Sequence, residues 1–118
     1  MVEYLEIKGK KYPVRIGYYV MKAVKAESDM SLGDALQKAD ENPEVHEIIL
    51  WAALKQGAWA EDTELDLKRE DIPMLLDLVF YDYLELYASE KFFPKDLVEK
   101  TEQRLGNLNK KTEAKKKK

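Results

Sequence analysis

Residues 72–93 read IPMLLDLVFYDYLELYASEKFF and form the densest run of apolar and aromatic side chains in the chain. If this stretch is helical, these side chains cover far more than one face of the helix. Such a helix is either buried on most sides or has a surface that needs a partner. The stretch therefore predicts a helical protein whose work is contact with other proteins.

The composition fits one small folded domain. The chain has 118 residues, of which 45% are hydrophobic, and its charged residues (36%) are of mixed sign, which disfavours disorder throughout. It contains no Cys, which excludes disulfides and thiolate chemistry. The N-terminal sequence MVEYLE lacks a basic start and a long apolar run, so we expect no signal peptide, no membrane span and a cytosolic protein.

Charge is distributed unevenly along the chain. Residues 109–118 contain six Lys and one Glu, whereas the first 108 residues contain 14 Lys and Arg against 22 Asp and Glu. An acidic body repels the phosphate backbone, so we expect no nucleic-acid binding by the folded part. For the lysine-rich end, we favour a disordered, solubilising tail over an arm that binds nucleic acid or an anionic membrane, and over a cloning remnant.

The N-terminal residues predict a β-hairpin over 2–16. Strand formers occur on both sides of Lys8–Lys11, a tight turn in which Gly9 is able to take a positive φ. Tyr18–Glu27 then has its apolar residues at helical spacing, and Ser31 is a capping residue for the short helix that follows.

A longer helix is predicted next. Asn42-Pro43 is a strong helix start, with Asn as the cap and Pro in the first position. Apolar residues at helical spacing continue to about Gln56, and Gly57 is a plausible C-cap. Residues 58–67 then form a polar, acidic connector.

The stretch quoted above belongs to a helix that begins near Arg69 and runs to about Glu90, with Pro73 tolerated in its first turn. Phe93-Pro94 marks the boundary before a weaker helix over Lys95–Leu108. The predicted fold class is mainly α with a small N-terminal β-hairpin (α+β), as a compact domain of four to five helices. We expect a single domain over 1–108 (hairpin 2–16, helices 18–108) and a disordered basic tail over 109–118.

Few residues suggest chemistry. His46 is the sole histidine, and no nucleophile is near it in sequence, so a surface or partly packed histidine is a better interpretation than a general base. The acidic connector lacks the spacing of a calcium loop, which favours a solvated acidic loop over a cation site. We therefore predict no enzyme activity, no cofactor and no metal.

The aromatic residues are the strongest functional signal. Core packing accounts for most of them, but a domain of this size cannot enclose every face of a helix. Tyr and Trp suit interfaces because they combine a large apolar area with a polar tip. We expect a partner surface or an oligomer contact to be drawn from Trp51, Trp59, Tyr81, Phe92 and Phe93.

The order of these pieces resembles the tail assembly chaperones of long-tailed (siphovirus-like) bacteriophages and related prophages. The matching features are the hairpin sequence YLEIKGKKYPVRI at 4–16 followed at once by a helix, the helix sequence IILWAALKQGA at 48–58, and EDIPMLLD at 70–77. The resemblance covers roughly residues 2–90.

The resemblance implies a role without catalysis. Such chaperones bind the tape-measure protein, prevent its aggregation and help to recruit tail-tube protein in the host cytoplasm, and they are absent from the mature virion. Many members have a longer form made by a programmed frameshift. Lys115–Lys118 requires A-rich codons, which is compatible with a slippery site. A small helical structural or adaptor protein of phage morphogenesis remains the alternative, and homo-oligomers are left open.

Overall fold

The structure is a computed structural model that describes residues 2–88. The first element along the chain is the predicted hairpin. Strands β1 (Glu3–Ile7) and β2 (Lys10–Val14) pair antiparallel, with Leu5 opposite Tyr12. Lys8 and Gly9 both have positive φ, of 52° and 82°, as a two-residue turn between twisted strands requires. One face of the hairpin is buried through Leu5, Ile7, Tyr12 and Val14.

Two helices follow the hairpin. Helix α1 (Tyr18–Ser28) ends at Asp29, which has the left-handed conformation common at helix C-termini. Helix α2 (Leu32–Gln37) begins at Ser31, whose hydroxyl accepts a hydrogen bond from the Asp34 N–H. The predicted cap at Ser31 is thereby confirmed.

Helix α3 (Glu44–Ala60) is the centre of the fold. It contacts β2, α1 and the last described helix, α4 (Ile72–Ala88). Nine of its residues are buried, and they occupy all but its most polar side. Two details of the sequence prediction are wrong. Asn42 is not the side-chain cap, because its amide reaches back to the Lys38 carbonyl, and Gly57 does not end the helix but lies inside it.

Gly57 is where β2 meets α3. A Cβ at this position would lie 2.2 Å from the Pro13 carbonyl oxygen and 2.6 Å from the Val14 nitrogen. One helical turn earlier, the Ala53 carbonyl accepts a hydrogen bond of 3.0 Å from the Arg15 N–H. Glycine is therefore present because the two backbones touch, a use of glycine that differs from helix capping.

The acidic connector leads to the last described helix. A 3₁₀ turn at Arg69–Asp71 precedes α4 (Ile72–Ala88). At the start of this turn, the Asp71 carboxylate accepts a hydrogen bond from the Lys68 backbone N–H. Pro73 is in the first turn of α4, as predicted. The backbone departs from helical geometry at Val79.

The predicted fold class is confirmed: residues 2–88 form a mainly helical, compact arrangement of four helices behind a two-stranded hairpin. Its buried side chains form one cluster drawn from every one of these elements. The predicted helix over 95–108 and the predicted tail over 109–118 lie outside the described residues.

Candidate partner-binding surfaces

An aromatic–lysine surface lies where α1 packs beside α3. Trp51, Lys55 and Trp59 are spaced four residues apart on α3, so they share one face of the helix. The Lys55 Nζ lies 5.7 Å from the centroid of the Trp51 ring and 5.6 Å from that of Tyr19 on α1, within the range of a cation–π contact. We use the name aromatic–lysine surface for Tyr19, Trp51, Lys55 and Trp59.

The aromatic–lysine surface contains a shallow groove. Tyr19, Lys55, Gln56 and Trp59 line it, and the Trp59 side chain is 81% exposed. Trp51 is half-buried and packs against the core. A groove with apolar walls and an ammonium group at its edge can hold an apolar side chain that has an acidic neighbour.

A second apolar surface lies on α4. Ile72, Leu75, Leu76, Val79 and Tyr83 form the inner stripe of this helix and are buried. On the opposite side Met74, Leu78 and Tyr81 are 75%, 62% and 84% exposed. Met74 and Leu78 are one turn apart on the same face, and Tyr81 lies beyond the departure from helical geometry at Val79. We call these three residues the α4 outer stripe.

The α4 outer stripe has an acidic border. Asp77 and Asp82 flank it, and Glu85 continues it by one turn. Met74 and Leu78 also line a cleft together with Glu70, Asp71 and Asp77. Lys8 of the hairpin lines the same cleft, and Lys11 lines a second cleft with Asp82 and Glu85. Part of this acidic border therefore faces positive charge within the molecule.

His46 is part of the packing between α3 and α4. Its Nδ1 lies 2.9 Å from the hydroxyl oxygen of the fully buried Tyr83, and its ring meets the Tyr83 ring edge-on at 5.4 Å. Burial lowers the pKa of His46, and the charge of Asp40 opposes this shift in part. The contact satisfies the buried Tyr83 hydroxyl, which is a structural role.

Side-chain hydrogen bonds and an ion pair connect the acidic connector to the hairpin. The Tyr4 hydroxyl donates to a carboxylate oxygen of Glu61, and the Lys10 Nζ lies 2.8 Å from Asp66 Oδ2. Hydrogen bonds from Lys10 and Tyr12 lower the pKa of the Asp66 carboxyl. Over residues 2–88, no three His, Cys, Asp or Glu side chains are grouped closely enough to hold a metal ion.

The structure describes three of the five residues that the sequence suggested, and it places them on two helices. Trp51 and Trp59 are together on α3, Tyr81 is on α4, and Phe92 and Phe93 lie outside the described residues. Sequence reasoning missed Tyr19, Lys55, Met74 and Leu78 as members of the two surfaces. Spacing of three and four residues could have indicated Met74 and Leu78, but the contact of Tyr19 with Lys55 joins two helices and left no local signal.

None of the helices between residues 2 and 88 is long and apolar enough to cross a membrane. Comparison of the chain with protein-family models, with curated proteins and with solved structures finds no match. The two surfaces are therefore interpreted from their geometry and charge.

Proposed function

We propose that this protein is a phage tail assembly chaperone that binds the tape-measure protein, prevents its aggregation and helps to recruit tail-tube subunits, without remaining in the mature virion. The observation that supports this proposal most directly is the aromatic–lysine surface, an exposed tryptophan beside an apolar groove on the central helix. The resemblance of the hairpin and of residues 48–58 and 70–77 to such chaperones supplies the identity of the partner.

The groove suits the apolar face of a helix. Trp59 and Tyr19 offer large, rigid apolar area, and exposed aromatic residues of this kind often dominate binding energy. Lys55 lies between them and would attract an acidic residue next to the buried positions of the partner helix. A specific contact of this type typically buries about 800 Å² on each side.

The charge of the protein fits a transient chaperone. Residues 2–88 contain ten Lys and Arg against eighteen Asp and Glu. A net negative body repels other copies of the complex and so opposes aggregation of the apolar partner.

The test is co-expression with the tape-measure protein encoded nearby, measuring how much of that protein is soluble and co-purifies. The Trp59→Ser variant should lower the affinity about 30-fold or more if Trp59 is a binding hot spot. Tyr18→Ser is the matched control, because Tyr18 is nearly as exposed as Trp59 and belongs to neither of the two surfaces. If the wild-type protein neither solubilises nor binds the tape-measure protein, the chaperone proposal is wrong.

Virion composition separates the chaperone from the alternative of a structural or adaptor protein. A chaperone is missing from purified particles, whereas a head–tail or tail component is present at a fixed copy number. Mass spectrometry of purified virions decides between them. Detection of the chain at a stoichiometric level would favour the structural alternative.

A further inference from the structure

We propose that the outer edge of β1 binds an extended polypeptide segment that carries Lys or Arg, and that this segment adds to the hairpin as a third strand. The outer edge is the side of β1 that does not face β2. It is separate from the aromatic–lysine surface, and the inference does not depend on the proposed function. It rests on the register of the hairpin, on the unequal surroundings of its two edges, and on the charge of the cleft beside β1.

The register of the hairpin shows which backbone groups of β1 point outward. Ile7 and Lys10 flank the two-residue turn and are therefore its closing hydrogen-bonded pair. Because hydrogen-bonded and non-hydrogen-bonded pairs alternate in an antiparallel ladder, the N–H and C=O groups of Tyr4 and Glu6 point away from β2. Within residues 2–88, no backbone hydrogen bond outside the ladder involves these two residues. They are therefore available to pair with another strand.

The edge of β2, in contrast, is closed. Pro13 has no N–H to donate, and its carbonyl lies against Gly57 of α3. Just beyond the strand, the Arg15 N–H donates to the Ala53 carbonyl. Native sheets generally cover or block their edges in such ways, whereas alternate residues of β1 remain exposed. An added strand can therefore pair with the hairpin along β1 only.

A cleft of about 500 Å³ lies between β1 and the second half of α4. Strand β1 forms one wall, and Asp82, Glu85 and Leu86 belong to the other. All three follow the departure from helical geometry at Val79, and their spacing of three and four residues puts them on one face of this half of the helix. The cleft therefore places carboxylates and an apolar side chain beside the outward backbone of β1.

The charge of the cleft favours a basic occupant. Glu6, Asp82 and Glu85 contribute three carboxylates, and Lys11 contributes one ammonium group. None of these four groups belongs to an ion pair between described residues. Lys11 thus offsets one of the three negative charges, and the other two attract Lys or Arg. A second copy is disfavoured, because pairing of β1 with β1 would bring the same carboxylates of two copies together.

Strand pairing also sets the side-chain pattern of the occupant. Successive side chains of a strand point to opposite faces. One set would extend the buried face of the hairpin at Leu5, and the other would extend the exposed face at Tyr4 and Glu6. We therefore expect a segment in which apolar and basic residues alternate. In this mode of recognition, backbone hydrogen bonds supply affinity and alternate side chains supply specificity.

The test is a nuclear magnetic resonance titration of the full chain with a capped six-residue peptide that alternates valine and lysine. At about 1 mM peptide, the Tyr4 and Glu6 amide protons should exchange with solvent about fivefold more slowly or less. One control peptide has glutamate in place of lysine, and another has methylated backbone nitrogens. Unchanged exchange, or equally tight binding of either control peptide, would overturn the inference.

Substitutions separate the backbone contribution from that of charge. Glu6→Pro removes an outward N–H that the ladder does not use, and should weaken peptide binding about tenfold, more than Glu6→Ala, which removes only the carboxylate. A second comparison holds even if Glu6→Pro does not fold. Asp82→Asn/Glu85→Gln should weaken binding severalfold, whereas Glu27→Gln/Glu41→Gln, which removes two exposed carboxylates elsewhere, should not. Equal affinities of these two double variants would contradict a basic occupant of the cleft.

The dependence on protein concentration identifies the competing occupant. Slow exchange at Tyr4 and Glu6 that appears without peptide and increases with protein concentration would show that β1 pairs with a second copy, and the inference would be wrong. Slow exchange that requires the valine–lysine peptide at every protein concentration supports the inference.

Discussion

At the scale of single residues, Gly57 reverses the usual effect of glycine in a helix. Replacing glycine by alanine inside a helix ordinarily stabilises it by about 1 kcal/mol. Here the new methyl group would overlap the backbone of Pro13 and Val14. We expect Gly57→Ala to destabilise the protein by about 1–3 kcal/mol, measured by urea unfolding with circular dichroism.

Ala60→Gly is the control for this prediction, since Ala60 is the exposed last residue of the same helix. It should cost no more than about 1 kcal/mol. A Gly57→Ala protein as stable as the wild type would show that β2 and α3 can separate at no cost.

His46 predicts a pH dependence of stability. Because burial lowers its pKa in the folded state, the unfolded chain binds the proton more readily. The contribution of His46 is therefore complete above its ordinary pKa of about 6.5 and decreases as the pH falls through the lower folded value.

We expect urea unfolding to show a lower free energy at about pH 5.5 than at about pH 7.5, and the difference to shrink in His46→Gln, which cannot titrate. The lowered pKa of Asp66 acts in a more acidic range, because its ordinary pKa is 3.8. Identical pH profiles for the wild-type and His46→Gln proteins would contradict this account.

At the scale of elements, α3 is buried around more of its circumference than the aromatic-rich α4. The quoted stretch at 72–93 is the more aromatic, yet α4 is buried along its inner stripe only. Helix α3 is covered by β2, α1 and α4 and so has buried residues around most of its circumference. It is the element on which the stability of the fold depends.

This difference predicts unequal effects of neighbouring substitutions in α3. Leu54 is fully buried and Lys55 beside it is exposed. Leu54→Ala should destabilise the protein by about 2–5 kcal/mol because it leaves a cavity, and Lys55→Ala by no more than about 0.5 kcal/mol. Thermal or urea unfolding measures both, and equal losses would argue against a central position for α3.

At the scale of the whole molecule, the described residues contain a continuous hydrophobic core. A chain ending at Ala88 should therefore still fold cooperatively and remain helical, as judged by circular dichroism and urea unfolding. A shortened chain without a cooperative transition would show that the core is incomplete without residues 89–118.

The class and order of the elements follow from the amino-acid sequence alone, because these depend on local signals. Gly9 and the strand formers around it predicted the hairpin, Ser31 predicted the start of α2, and Pro73 fixed the first turn of α4. Periodicity also placed the helices to within a few residues. The exposed aromatic residues Trp59 and Tyr81 were named, but not the surfaces to which they belong.

Which faces of the elements pack against one another is visible in the three-dimensional fold and not in the sequence. Nothing in the sequence shows that the Pro13 backbone lies against Gly57, so the local pattern predicts a helix end there. The Asn42 side-chain amide donates to the Lys38 carbonyl, which the preceding turn places within reach. The exposed side of α4 and the grouping of Tyr19 with Lys55 depend on how helices pack against one another. Packing joins residues that are distant in sequence, so local propensity and spacing cannot specify it.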